Sequence, residues 1–392
     1  METTEVRENH KFNQDNLKNY MIKNLNLQPS SEKLHVIQFN AGQSNPTFLI
    51  TYNQFQCVMR KKPPGVLLKG AHAIDREFKI QQALHKQNFP VPQPYIYCSD
   101  LSVIESEFYL MEYMKGRIFR DLSLPGISPK ERTEIYNAMC DILVKLHSFN
   151  PSEIGLDGFG NSKDYYARGI HVWSRNYRMA KTSEIKDMEE MMENLPKLIP
   201  KEGEKVSIVH GDFRLDNMVF HPTENRVIAV LDWELSTLGN PLGDLAYNLM
   251  WHYSPGNSIF GLGSIDFSYY GIPSVYPYRS RYLQGMRMQE IPDKEWFFYL
   301  AFSFFRLAGI SQGVYKRSLM GNASSTKAKS FEVTAKQLAR IGREQMQKSI
   351  SGDIRPVPFF VQRFFSSFPT VILKIATIYG QTRLSQRTRV QQ

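Results

Sequence analysis

One short segment and one residue beyond it constrain this chain more than any other feature. Residues 210 to 217 read His-Gly-Asp-Phe-Arg-Leu-Asp-Asn, and fifteen positions later Asp232 stands in Val230-Leu231-Asp232-Trp233-Glu234. Phosphoryl transfer is the chemistry that asks for this set. Its transition state spreads charge over phosphate oxygens, so a protein mainly positions an attacking oxygen, holds cations and screens negative charge. Asp212 is the expected acceptor of a hydroxyl proton. Asn217 and Asp232 offer the hard oxygen ligands that magnesium prefers. Val206–Val209 reads as a short buried strand and Asn217–Phe220 as a second. The β-rich run Arg226–Leu231 makes a third, ending at Asp232, so loop carboxylates would be carried on a strand framework.

The upstream third reads as a small sheet. Leu34–Phe39 and Thr47–Thr51 are strands around a small-residue loop that includes Gly42, Gln43, Ser44 and Asn45. Backbone amides in such a loop approach phosphates closely, because Gly42 has no side chain and Ser44 adds a hydroxyl donor. The next strand, Phe55–Arg60, ends in the cations Arg60, Lys61 and Lys62, and Arg76–Leu84 reads as a helix containing Glu77. Further on, Ser128-Pro129-Lys130-Glu131 looks like a helix start, followed by Ile135, Met139, Ile142, Leu143 and Leu146 at helical spacing with His147 on the polar shoulder. Asp244 begins a later helix and is expected to tie its amino end to the catalytic loop.

The ordered set His-Gly-Asp-x-x-x-x-Asn followed by a strand and Asp resembles the aminoglycoside phosphotransferase and choline kinase-like branch of the protein-kinase fold. Within that branch it is similar to the kinase-like domains joined to acyl-CoA dehydrogenases in family members ten and eleven. Arg60–Gly65, Ala71–Phe78, Tyr165–Arg168 and Phe305–Tyr315 carry this likeness, which spans roughly residues 34 to 326. The resemblance implies an α+β, bilobal protein-kinase-like fold with a small antiparallel β N-lobe and a larger, mostly helical C-lobe. Residues 1–33 would form an N-terminal helical extension, 34–113 the nucleotide-binding lobe and hinge, 114–326 the catalytic lobe, and 327–392 a basic amphipathic extension. ATP and magnesium are the implied cofactors. Arg60 stands where this fold has a phosphate-pairing Lys, with Lys61 or Lys62 as alternatives, and Glu77 is the implied partner of the strand cation. Tyr109–Gly116 resembles the hinge, which assigns Glu112 and Met114 to the adenine edge through their backbone.

Arg214, two residues after Asp212, is placed to reach a transferred phosphate with its planar fork. His210 reads as structural, and Asp216 as a carboxylate bracing the loop. Glu234 is left open between a second metal contact and a cap.

Composition agrees with a packed two-lobed enzyme: 392 residues, 42% hydrophobic and 22% charged. Three cysteines, Cys57, Cys98 and Cys140, show neither paired nor metal-ligand spacing, which reads as free thiols. The net charge of +10 is concentrated in residues 327–392, which hold twelve Lys or Arg against three acids; the rest carries 36 against 35. That distribution gives no support to a nucleic-acid groove across the lobes. The extension also holds the aromatic and aliphatic runs Val357–Phe365 and Val371–Ile378, interrupted by Arg363, Pro369 and Lys374. Two readings stand: an interfacial helix on a membrane surface, or packing against the larger lobe or a partner such as a dehydrogenase. The acidic amino terminus is unlike a leader, so cytoplasm is the expected location, with a peroxisome or mitochondrion as the alternatives.

Rings and cations interleave at Tyr165, Tyr166, Arg168, His171, Trp173, Arg175, Tyr177 and Arg178, and the pattern continues at Trp251, His252, Tyr253, Arg306 and Arg317. Arg168, Trp173 and Arg175 are the candidate acceptor contacts, because cations and rings suit an anionic acceptor with a planar base. The expected activity is phosphorylation of a small-molecule alcohol, with a hydroxyacyl-CoA thioester as the leading acceptor from the family likeness. The alternative is a nucleotide-binding adaptor without transfer, docking on a membrane or a dehydrogenase.

Overall fold

The computed structural model describes residues 3–40, 45–64, 73–200, 206–256, 261–320 and 330–352. Gly42, Gln43 and Ser44 lie outside the described residues, as does the extension beyond Gly352.

The amino-terminal lobe is an antiparallel sheet of six strands: β1 (Thr3–Thr4), β2 (His35–Phe39), β3 (Thr47–Tyr52), β4 (Phe55–Lys61), β5 (Pro94–Cys98) and β6 (Phe108–Glu112), in the order β1-β2-β3-β4-β6-β5. Alternation along the strands gives the sheet two apolar faces. On one face Phe48, Ile50, Cys57 and Met59 pack with Leu17 and Met21 of helix α1 (Gln14–Leu25), both fully buried. The first 33 residues therefore supply an edge strand and a helix that closes one face of the sheet. On the other face Val58, Tyr109 and Met111 meet Ile74 of helix α2 (Ile74–Lys86). The carboxyl half of α2 then joins the large-lobe core through Ile80, Ala83 and Leu84, with α3 (Leu101–Ile104) lying between β5 and β6.

The large lobe is mostly helical. Helix α4 (Pro129–Ser148) starts at a capping box, in which Ser128 Oγ accepts from the Glu131 amide and Glu131 accepts from the Ser128 amide. Helices α5 (Tyr165–Ala180) and α6 (Lys186–Asn194) precede the short strands β7 (Ser207–Val209), β8 (Met218–Phe220), β9 (Val227–Val230) and β10 (Thr237–Gly239). Then come α7 (Leu242–Leu249), α8 (Phe267–Tyr270), α9 (Val275–Gly285), α10 (Asp293–Leu319) and α11 (Phe331–Ser351). Helix α10 is long and apolar enough to cross a membrane, but 83% of its apolar window is buried within the lobe. It is the core helix. Tyr166 illustrates the packing: it is 1% exposed, with its ring 5.1 to 5.3 Å from those of Phe298, Tyr299 and Phe302. Thus Tyr165 and Tyr166, which the sequence pairs with cations, serve this core. Helix α11, the first part of the expected extension, packs on α10 and α6, and the compact unit runs to Gly352.

Two short pairings bring the motif residues together. Strand β8 pairs with β9, setting Met218 opposite Val230, while β7 pairs with β10. After β6 the chain is stitched to β8: Arg117 and Phe220 exchange backbone hydrogen bonds at 2.9 and 2.8 Å. Gly116 is needed there, since a Cβ would sit 2.2 Å from the Phe220 carbonyl oxygen.

Candidate active site

The loop between β7 and β8 carries Asp212 and Asn217, and the turn after β9 carries Asp232. Gly211 has φ +84°, and a Cβ on it would lie 2.6 Å from the Leu235 carbonyl oxygen, so the middle residue of His-Gly-Asp is fixed by conformation and space. Asp244, in the first turn of α7, accepts from the His210 amide at 2.6 Å and the Gly211 amide at 2.9 Å. Burial pushes its carboxyl upward, yet His147 and these donors outweigh that and hold it below the ordinary carboxylate value. His147 itself is 2% exposed and bonds Tyr282 at 2.6 Å through Nδ1, so it lies in the core and not on the polar shoulder of α4. The His210 ring spans the loop: Nδ1 accepts from the Asp212 amide at 3.1 Å, and Nε2 donates to the Leu231 carbonyl at 2.9 Å.

Asp212 is held on all sides. The Tyr247 hydroxyl donates to Oδ1 at 2.6 Å, Arg214 Nε lies 3.1 Å from the same oxygen, and Asn217 Nδ2 donates to Oδ2 at 3.0 Å. Burial alone would raise its pKa; Arg214 and Tyr247 prevail and keep it ionised below the usual range. Asp216 goes the other way, pushed up by burial, with Arg214 3.4 Å away in opposition. The Leu231 amide donates to the Asn217 carbonyl at 2.8 Å, which places Asp232 beside Asn217. Asp232 has φ +65°, a left-handed backbone that Asp tolerates better than most residues and that marks a constrained site.

Above this loop lies the end of β4. Of its three cations Arg60 faces the cleft, whereas Lys62 pairs with Glu107 at 2.7 Å and Lys61 is on the opposite face of the sheet. Arg60 Nη1 is 2.7 Å from Glu77 Oε1 and 3.3 Å from Asp232 Oδ1, and its Nη2 is 3.8 Å from Glu234. Glu77 is 1% exposed, and burial pushes its carboxyl up against the pull of Arg60. Glu234 also accepts from Asn45 Nδ2 at 3.5 Å, so it belongs to this cluster.

Between the lobes is a cleft of about 380 Å³. Val58 and Met111 line it from the sheet and Val219 and Leu231 from the large lobe. Glu112 and Met114 stand at its hinge side, and Arg60, Glu77, Arg214, Asn217 and Asp232 at its polar end. Arg120 lines it too, without any sequence signal having marked it. Tyr247 was equally unmarked, although it lies three residues beyond Asp244 and thus on the same face of α7.

Of the candidate acceptor residues, Trp173 is tied to this region and the two arginines are not. The Arg306 guanidinium sits 5.8 Å from the Trp173 ring and 5.3 Å from the Tyr247 ring, and it donates to the Gly211 carbonyl. Arg168 instead donates to the Asn161 carbonyl, and Arg175 is exposed; neither lines the cleft.

A small antiparallel sheet over a helical lobe, with Asn217 and Asp232 lining the cleft between them and Asp212 bonded to Asn217, defines a kinase-like phosphotransferase fold. The chain belongs to the phosphotransferase enzyme family, whose model matches residues 35–275. It is 44% identical over 350 residues to human acyl-CoA dehydrogenase family member 11, a match covering 88% of this chain and 45% of that relative. The chain thus spans a little under half the length of the curated relatives it matches. An aminoglycoside phosphotransferase-like protein of Ralstonia eutropha JMP134 shares 42% identity with a TM-score of 0.76, covering 86% of this chain and 99% of the other. Choline kinase from Cryptosporidium parvum Iowa II has a TM-score of 0.61 at 14% identity, covering 87% and 97%, which is a likeness of fold.

Proposed function

We propose that this chain is an ATP- and magnesium-dependent small-molecule kinase that phosphorylates an alcohol, with a hydroxyacyl-CoA as the leading acceptor. One observation carries the reading: Asn217 and Asp232 line the polar end of a cleft with apolar walls, and Asp212 is hydrogen-bonded to Asn217 beside them. The donor set suits magnesium. Among the described residues no three His, Cys, Asp or Glu form a metal cluster, and a carboxylate and an amide oxygen with several waters are what this ion accepts. When bound, magnesium ATP supplies the phosphoryl group and the charge screening of the metal.

The protein's own residues do the rest. Arg60, fixed by Glu77, and Arg214 offer cations to phosphate oxygens. Tyr247 and Arg214 hold Oδ1 of Asp212 and Asn217 Nδ2 donates to Oδ2; the second lone pair of Oδ2 would orient the acceptor hydroxyl and take its proton. The low pKa of Asp212 keeps it ionised for that task at neutral pH. The acceptor assignment draws on the relatives' acyl-CoA names and on Trp173 with Arg306, a ring and a cation beside the catalytic loop. The test is incubation with magnesium ATP and a panel of hydroxyacyl-CoAs, free hydroxy acids, choline and aminoglycosides. Hydroxyacyl-CoA-dependent ADP release supports the proposal; nucleotide binding with no acceptor-dependent ADP would favour a non-catalytic adaptor.

A further inference from the structure

Arg306 of α10 is 8% exposed, and among the described residues it makes no ion pair. A buried guanidinium is ordinarily matched to a carboxylate, because taking its charge out of water is costly. Here its recorded partners are neutral. It donates to the Gly211 carbonyl, and the guanidinium lies 5.8 Å from the Trp173 ring of α5 and 5.3 Å from the Tyr247 ring of α7. Two rings keep the planar fork in one orientation.

Both the carbonyl and the Tyr247 ring lead to Asp212. Gly211 has φ +84° and no side chain, so by sterics alone it is the freest residue of the loop. Its amide is held by Asp244 at 2.9 Å. Its carbonyl belongs to the same planar peptide unit as the Asp212 amide, which donates to His210 Nδ1 at 3.1 Å. Arg306 therefore holds one end of that plane and the His210 ring the other. Tyr247 in turn donates its hydroxyl to Asp212 Oδ1 at 2.6 Å. One arginine thus steadies both the backbone and the side chain of Asp212.

We propose that Arg306 is a positioning residue for the base: it fixes the Gly211–Asp212 peptide and the Tyr247 hydroxyl in the arrangement that aims the Asp212 carboxylate, and it does not itself touch the acceptor. The inference rests on the kinase reading and deepens it. Reaction geometry is steep, with a misplacement of about 1 Å costing on the order of 10²-fold in rate. A residue acting through the base in this way sets kcat and leaves ground-state binding alone.

The test is steady-state turnover of magnesium ATP, first without acceptor and then with whichever acceptor releases most ADP, in the wild type and three variants. Arg306→Met should lower kcat by about 10²-fold, with KM for ATP and for the acceptor within about 2-fold of the wild type. Arg306→Lys, which returns a donor able to reach a carbonyl, should recover part of the loss. Tyr247→Phe keeps the ring and drops the hydroxyl; it should also lower kcat, and its effect should not add to that of Arg306→Met, since both act through Asp212. Hydrogen exchange read by mass spectrometry needs no turnover, and should quicken across residues 207–217 of Arg306→Met with α4 unchanged. Should Arg306→Met fail to fold, Arg306→Lys and Tyr247→Phe carry the same kcat-against-KM comparison. A rise in acceptor KM at constant kcat would overturn the proposal, because Arg306 would then be an acceptor contact. Unchanged kcat would overturn it too. A wild type that turns over neither acceptor nor water ends the kinase reading; exchange then decides alone, and unchanged protection of the loop in Arg306→Met also ends the positioning role.

Discussion

The catalytic loop and the front of the cleft are built from similar groups but joined differently. Within the large lobe the polar contacts are short: 2.6 Å from the His210 amide to Asp244 and 2.6 Å from Tyr247 to Asp212. Within the small lobe Arg60 and Glu77 are 2.7 Å apart. Across the front, between lobes, they lengthen to 3.3 Å for Arg60 and Asp232, 3.5 Å for Asn45 and Glu234, and 3.8 Å for Arg60 and Glu234. Behind the cleft, by contrast, the Val230 amide reaches the Pro90 carbonyl at 2.8 Å, and α2 is docked in the large-lobe core. Each lobe therefore organises its own charges. The contacts between them across the opening are the weak ones, which is where a nucleotide would have to enter.

The largest effect should come from the tight region. Asp212→Asn is expected to lower turnover by about 10³-fold while nucleotide binding persists, read from steady-state kinetics beside direct nucleotide titration. Unchanged turnover would remove the assigned base. Asp244→Ala leaves two buried backbone donors unsatisfied and should cost roughly 3 kcal/mol or more in urea unfolding. Its pH dependence has a definite sign. The folded pKa of Asp244 lies below its ordinary value of 3.8, so its stabilisation is complete above that pH and lost as pH falls through the lower folded value. The stability gap between wild type and Asp244→Asn, measured by denaturation, should accordingly narrow only below about pH 3.8.

Intermediate effects belong to Arg60, whose fork touches Glu77 and Asp232 at once. Arg60→Lys keeps the charge and loses the fork, and should raise the nucleotide KM by roughly 3- to 10-fold, with a smaller change in kcat. The smallest effect is expected at Glu234, which is 22% exposed. Glu234→Ala should alter unfolding free energy by less than about 1 kcal/mol, as weak exposed pairs do. A loss comparable to that at Asp244 would mean that the front contacts are as firm as the loop.

Much of the fold was legible because its signals are local. The expected strands Thr47–Thr51 and Phe55–Arg60, the helix start at Ser128 and the β-rich segments around the motif all appear as elements near their expected positions. The proximity of Asp212, Asn217 and Asp232 was legible for a related reason: only a tight loop and one short strand pair separate them. What escaped depends on distant chain. Tyr247 is 35 residues from Asp212, Arg306 is 95 from Gly211, and His147 is 135 from Tyr282. Periodicity places His147 on a helix shoulder, and only α9 arriving there makes that shoulder part of the core. Arg168 and Arg175 looked like ligand contacts because composition cannot say which side of α5 meets the cleft.

By itself the sequence determined which side chains alternate, cap and turn, because those outcomes are decided by sterics and hydrogen bonds within a few residues. It also supplied the order of groups that marks the family. Tertiary structure alone decided which charges are paired. Arg60 and Lys61 are neighbours in the chain with similar charge, yet Arg60 meets Glu77 within its lobe and Asp232 and Glu234 across the cleft while Lys61 forms none of these pairs, since a pleated strand sends consecutive side chains to opposite environments.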